Sequence, residues 1–124
     1  MSFRTAPRKV WHVIRAFTWG VRSIRAARTR LRAGASALAV TLPAPPAISV
    51  TGVRGVRLAA RVLHASCLER SLVLQRWFLQ QGREIDVLIG VARDGDEMLA
   101  HAWLEGEEWR NDRAYVEMTR VSAR

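Results

Sequence analysis

The spacing of apolar residues changes period at Gly82, and that change limits the possible folds more than any other feature of the chain. Before it, Leu68, Leu72 and Leu79 fall in one helical stripe, widened by Val73, Leu74, Trp77 and Phe78. Ser66-Cys67-Leu68-Glu69 reads S-x-x-E directly ahead of this run, the signature of a helix start in which Ser66 and Glu69 cap each other's amides. The pattern predicts a helix from Cys67 to about Gln81, stopped by Gly82 in the C′ position. After Gly82 the period drops to two. Ile85, Val87, Ile89 and Val91 alternate within residues 84–92, and "EMLAHAWLE" (97–105) reads as a second strand. Asp94-Gly95 between them is a two-residue hairpin signal. Gly106-Glu107 offers a further Gly-X turn, from which "EWRND" returns as a third short strand. Helices followed by an antiparallel meander give an α+β fold.

The first half of the chain is helical too, with a different chemistry. Val10, Ile14, Phe17, Val21 and Ile24 recur at helical steps beside Trp11, with Arg8, Arg15 and Arg22 on another face and Gly20 as a weak point. "LPAPPA" (42–47) breaks any helix, so residues 1–47 read as a basic helical region plus linker and 48–124 as the main domain. Residues 48–63 carry a helical pattern impaired by Gly52 and Gly55. Residues 1–66 hold 12 Arg/Lys and no Asp or Glu, whereas 67–124 hold 8 against 11 acidic residues. A surface so polarised faces an acidic partner, a nucleic acid or anionic lipid.

Several classes fall away. No apolar run approaches the length of a membrane-spanning helix, and the basic N-terminus lacks the apolar block of a secretory signal. A single cysteine excludes an intramolecular disulfide and suits a reducing compartment. One Cys with His12, His64 and His101 shows no metal-ligand spacing, so neither a metal nor a cofactor is expected.

Cys67 is placed in the first turn of its helix, where unpaired amides and the positive end of the dipole favour a thiolate. If Gly106-Glu107 is the loop of the second hairpin, Glu105 faces Glu108, Trp103 faces Arg110 and His101 faces Asp112. Directly opposed side chains share one face, so this register sets an imidazole beside a carboxylate and turns Asn111 away. Trp103 projects on the same face. A nucleophilic cysteine needs a base, and the base an orienting third group, which Cys67, His101 and Asp112 would supply if the helix start packs over the His101 face. From these residues alone, a structural cysteine with a surface His–Asp pair stays equally open.

"CLERSLVLQRWFLQQG", "IGVA", "AHAWLE" and "ND" together resemble the transglutaminase-like leader peptidases of lasso-peptide biosynthesis, over about residues 48–124. The resemblance implies a papain/transglutaminase-like core in which a cysteine-bearing helix packs on an antiparallel β-meander. It places the nucleophile on Cys67, the histidine on His101 and the acid on Asp112. It implies a cysteine protease that removes the leader from a ribosomally made precursor through a thioester. Members of the split type work with a separate leader-recognition protein of winged-helix type, and the product passes to a cyclase resembling asparagine synthetase. Glu105 and Arg70 are expected to be structural, and His64 a solvent-facing loop residue. A cytoplasmic location is expected, peripheral to the membrane if the basic N-terminus touches it.

A second reading rests on the arginines alone. Arg15, Arg22, Arg25, Arg28, Arg30 and Arg32, with Trp11 and Trp19, would suit a non-catalytic basic module for an acidic partner, a nucleic acid or an anionic membrane surface. No nucleic-acid partner is expected if the protease reading holds.

Overall fold

The structure is a computed structural model and describes residues 6–48, 50–107 and 115–124. Three helices, α1 (Ala6–Arg32), α2 (Val53–Val62) and α3 (Cys67–Gln80), precede a sheet of β1 (Val87–Asp94), β2 (Glu97–Leu104) and β3 (Val116–Val121). The α+β class read from the sequence is the one observed.

Each helix ends in the same hydrogen-bond motif, in which the amides of C′ and C″ return to carbonyls of the last turn. Gly34 (φ 93°) closes α1 and Gly82 (φ 82°) closes α3. In α2 the left-handed position is filled by His64 (φ 49°), whose N–H donates to Arg61 O at 3.1 Å while Ala65 N–H donates to Ala60 O at 2.9 Å.

The apolar stripe expected along α1 is rotated. Val10, Trp11 and Ile14 are 54%, 61% and 45% exposed, and the buried line is Ala16, Trp19, Gly20, Ser23, Ile24 and Ala27. The cause is the close approach of α2. A Cβ on Gly55 would lie 2.2 Å from Val13 O, and one on Gly20 would lie 2.9 Å from Ala59 Cβ. Gly20 and Gly55, expected to weaken their helices, instead let the backbones meet. Trp19 reaches Trp77 with ring centroids 5.6 Å apart, and its indole N–H donates to Pro43 O at 3.1 Å, which ties the proline-rich segment to α1. Trp19, Ile24, Val56, Leu74, Trp77, Val87, Ala102 and Leu104 belong to one hydrophobic cluster, so α1 and the elements after residue 47 share a core.

The sheet has the order β2-β1-β3, both pairs antiparallel. The described strands are therefore not a meander: β3, in a tail whose sequence carries no strand signal, pairs with β1, with a bulge between Ile89 and Gly90. The expected third strand, 108–112, lies outside the described residues. Both turns are displaced by one residue. Asp94 pairs with Glu97, so the first loop is Gly95-Asp96, with Gly95 at φ 62°. After β2, Glu107 N–H donates to Leu104 O at 3.0 Å, so Glu105-Gly106 forms the turn, with Gly106 at φ 87°.

Candidate active site

The helix start forms as its sequence dictates. Ser66 Oγ accepts the Glu69 N–H at 3.1 Å, and Glu69 Oε1 accepts the Ser66 N–H at 2.9 Å. This box uses the amides of Ser66 and Glu69 and leaves those of Cys67 and Leu68 without an intrahelical acceptor. Glu69 is buried, and Arg28 of α1 holds it: Arg28 Nε lies 3.1 Å from Oε2 and Nη2 lies 3.1 Å from Oε1. The same Nη2 donates to Leu63 O at 2.8 Å, the residue that caps α2. Burial raises the Glu69 pKa, but the Arg28 guanidinium and the Ser66 amide outweigh it, and the carboxyl is held below its ordinary value. Arg28, counted among the surface arginines by the sequence, is thus a clamp on the segment that presents Cys67.

Among the described strands β2 lies at the edge of the sheet, and its residue Ala102 turns its N–H and C=O away from β1. Such groups need partners. Cys67 Sγ accepts the Ala102 N–H at 3.4 Å, and Ser71, one turn along α3, donates its hydroxyl to Ala102 O at 3.4 Å. The cysteine helix therefore covers the strand edge instead of lying over the His101 face. The residues expected opposite Ala102 and His101, Asn111 and Asp112, lie outside the described residues.

Alternation sends Ala102 and Leu104 into the core and His101 and Trp103 to the opposite face. There the imidazole stacks on Trp103 (centroids 6.0 Å apart, planes 10° apart) and meets Tyr115 at 5.5 Å. Gly90, paired with His101 across the sheet, makes room: a Cβ there would lie 2.8 Å from both Trp103 Cη2 and Val116 O. Burial lowers the His101 pKa below 6.5; Glu107 opposes the shift and Arg70 adds to it. The lowered value favours the neutral ring, the form that can accept a proton. Among the described residues no hydrogen bond joins His101 to the sulfur; Cys67 Sγ meets β2 at the amide of the next residue, Ala102.

Arg70 and Glu107 form a second tie between α3 and the turn after β2. Their side chains approach to 3.3 Å, and Glu107 Oε1 accepts the Leu104 N–H at 3.0 Å. Arg70 is structural, as expected. So is Glu105, which pairs with Arg120 of β3 at 3.1 Å. The sequence reading missed Arg28, Glu107, Gly90 and Tyr115. Only the run of acidic residues after Gly106 carried any signal for one of them, Glu107.

The described residues thus place a half-buried cysteine at a capped helix start, hydrogen-bonded to the strand that carries His101. The sequence model of the transglutaminase-like superfamily matches residues 11–122, nearly the whole chain, and the protein belongs to that superfamily, which is typically one of cysteine peptidases and transglutaminases. The match includes most of α1. No curated protein and no solved structure matches the chain. Among the described residues no helix is long and apolar enough to cross a membrane.

Proposed function

We propose that this chain is a cysteine peptidase that removes the leader from a lasso-peptide precursor, with Cys67 as nucleophile, His101 as general base and acid, and Asp112 orienting His101. The observation that carries the reading is the contact of Cys67 Sγ with the Ala102 amide, which sets the thiol one residue from His101. The subtype rests on the resemblance of "CLERS" and "HAWLE" to the leader peptidases. His101 takes the thiol proton as sulfur attacks the carbonyl of the last leader residue, and the amides of Cys67 and Leu68 face the oxyanion. The C–N bond breaks, and the leaving amine of the core peptide receives that proton from His101. Water, deprotonated by His101, then attacks the thioester; the C–S bond breaks and the proton returns to sulfur.

The partners in this reading are the precursor peptide, a winged-helix leader-recognition protein and a cyclase resembling asparagine synthetase. The test is incubation of a lasso precursor with the chain and its recognition protein, read by mass spectrometry. Native protein releases leader and core, and Cys67→Ala, His101→Ala and Asp112→Asn do not. Cleavage by Cys67→Ala would overturn the reading.

One observation favours a second role alongside it. Val10, Trp11 and Ile14 are exposed together with Lys9, Arg15 and Arg22, and Trp11, Ile14, Arg15, Arg22 and Pro46 line a groove of about 400 Å³. An exposed basic-apolar helix face suits contact with an anionic membrane surface. Cosedimentation with phosphatidylserine vesicles but not with phosphatidylcholine vesicles, lost in Trp11→Ala/Arg15→Gln, is the expected result.

A further inference from the structure

A cavity beside the helix start is cationic. It measures about 420 Å³ and is lined by Arg57, Ala60, Arg61, His64, Ala65 and Arg70. His64 and Ala65 immediately precede the cap of α3, and Arg70 lies one turn after Cys67, so the cavity flanks the candidate nucleophile. Arg57 and Arg61 stand one turn apart on exposed positions of α2, and among the described residues no carboxylate forms an ion pair with either. Glu107 pairs with Arg70 and also lies within the field of Arg57, so one carboxylate stands against the three guanidinium groups of the cavity. The α2 closure adds a second feature: the C′ site that glycine fills in α1 and α3 is taken by His64, which sets an imidazole on the wall in a costly left-handed backbone.

We propose that this cavity binds a carboxylate of the polypeptide substrate, an aspartate or glutamate next to the scissile bond, through Arg57 and Arg61. The proposal rests on Cys67 being the nucleophile and adds the class of residue that the site selects. Two guanidinium forks present donors to one carboxylate, and the net positive charge draws an anion towards the sulfur.

Iodoacetate and iodoacetamide test it, since both alkylate a thiol and differ in carrying a carboxylate or a neutral amide. The readout is the ratio of their rate constants for Cys67. In Arg57→Gln/Arg61→Gln the ratio falls severalfold, the order of effect expected when two like charges near a reacting anion are removed in water. Arg93→Gln, a surface arginine at the end of β1, leaves the ratio unchanged. A ratio equal to native in the double variant, or an equal fall in Arg93→Gln, overturns the proposal. Failure of the nucleophile assignment is read separately: His101→Ala then alters neither rate constant, whatever the ratio does.

Discussion

Arg28 and Glu69 are joined by a two-pronged ion pair across 41 residues of sequence, and Glu69 is also half of the capping box that starts the Cys67 helix. One guanidinium therefore fixes α1, the end of α2 and the start of α3 together. Arg28→Ala is expected to lower the thermal midpoint and slow Cys67 alkylation, because a buried carboxylate loses its partner. Arg28→Lys restores only part of each, since an ammonium cannot serve Glu69 and Leu63 O in the same fork geometry. Differential scanning fluorimetry and alkylation rates measure both. An unchanged midpoint in Arg28→Ala would contradict the clamp.

Acid should weaken the fold in two steps. Burial holds His101 below 6.5, so just under that pH the unfolded chain binds a proton that the folded chain refuses, and stability falls as pH falls. For Glu107, burial pushes the carboxyl up, but the Leu104 amide and Arg70 outweigh it and the net shift is below 4.5. Glu69 is lowered likewise, and the stability from both is present above 4.5 and lost as pH drops through their folded values. Urea midpoints against pH should show both losses. His101→Gln removes the first and keeps the second; an unaltered slope between about pH 6.5 and 5 in that variant would refute the assignment.

Much of this architecture is legible in the sequence, and the failures have physical causes. The capping box, the Cys67 helix and its Gly82 stop are local devices, written within a few residues of where they act. The rotated α1 face is not local: Val10 and Ile14 lost the core to Ala16, Gly20 and Ser23 because α2 approaches too closely for large side chains. Each turn slipped by one residue because Asp-Gly and Gly-Glu pairs do not fix whether the glycine takes the first or second turn position. The register that set His101 opposite Asp112 was built on a Gly106-Glu107 turn, and Asp112 lies outside the described residues. Arg28 carried no local signal at all, its partner being set by the packing of three helices.

Gly90 should matter to the site as much as to the sheet. Gly90→Ala drives a methyl into Trp103 and against the Val116 carbonyl, so the indole under His101 has to move. A loss of about 1–3 kcal/mol is expected from urea unfolding, with a fall in Trp fluorescence quenching on His101 protonation. A fully stable variant with native fluorescence would show that the indole does not lie across Gly90.

His64→Gly relieves a left-handed backbone that a residue with a Cβ adopts at a cost of about 1 kcal/mol. The variant should unfold at equal or higher urea than native, the reverse of the usual effect of adding glycine. A clear destabilisation would mean that the imidazole itself supports the α2 closure.

The most direct measurement is the rate of Cys67 alkylation by iodoacetamide against pH, in native protein and in His101→Ala of verified fold. The account predicts a native rate that declines once His101 is protonated, below 6.5, and a loss on the order of tenfold or more near pH 7 without the imidazole. Identical rate profiles for the two proteins would contradict it, and Cys67 would then be a packing residue on the edge of β2.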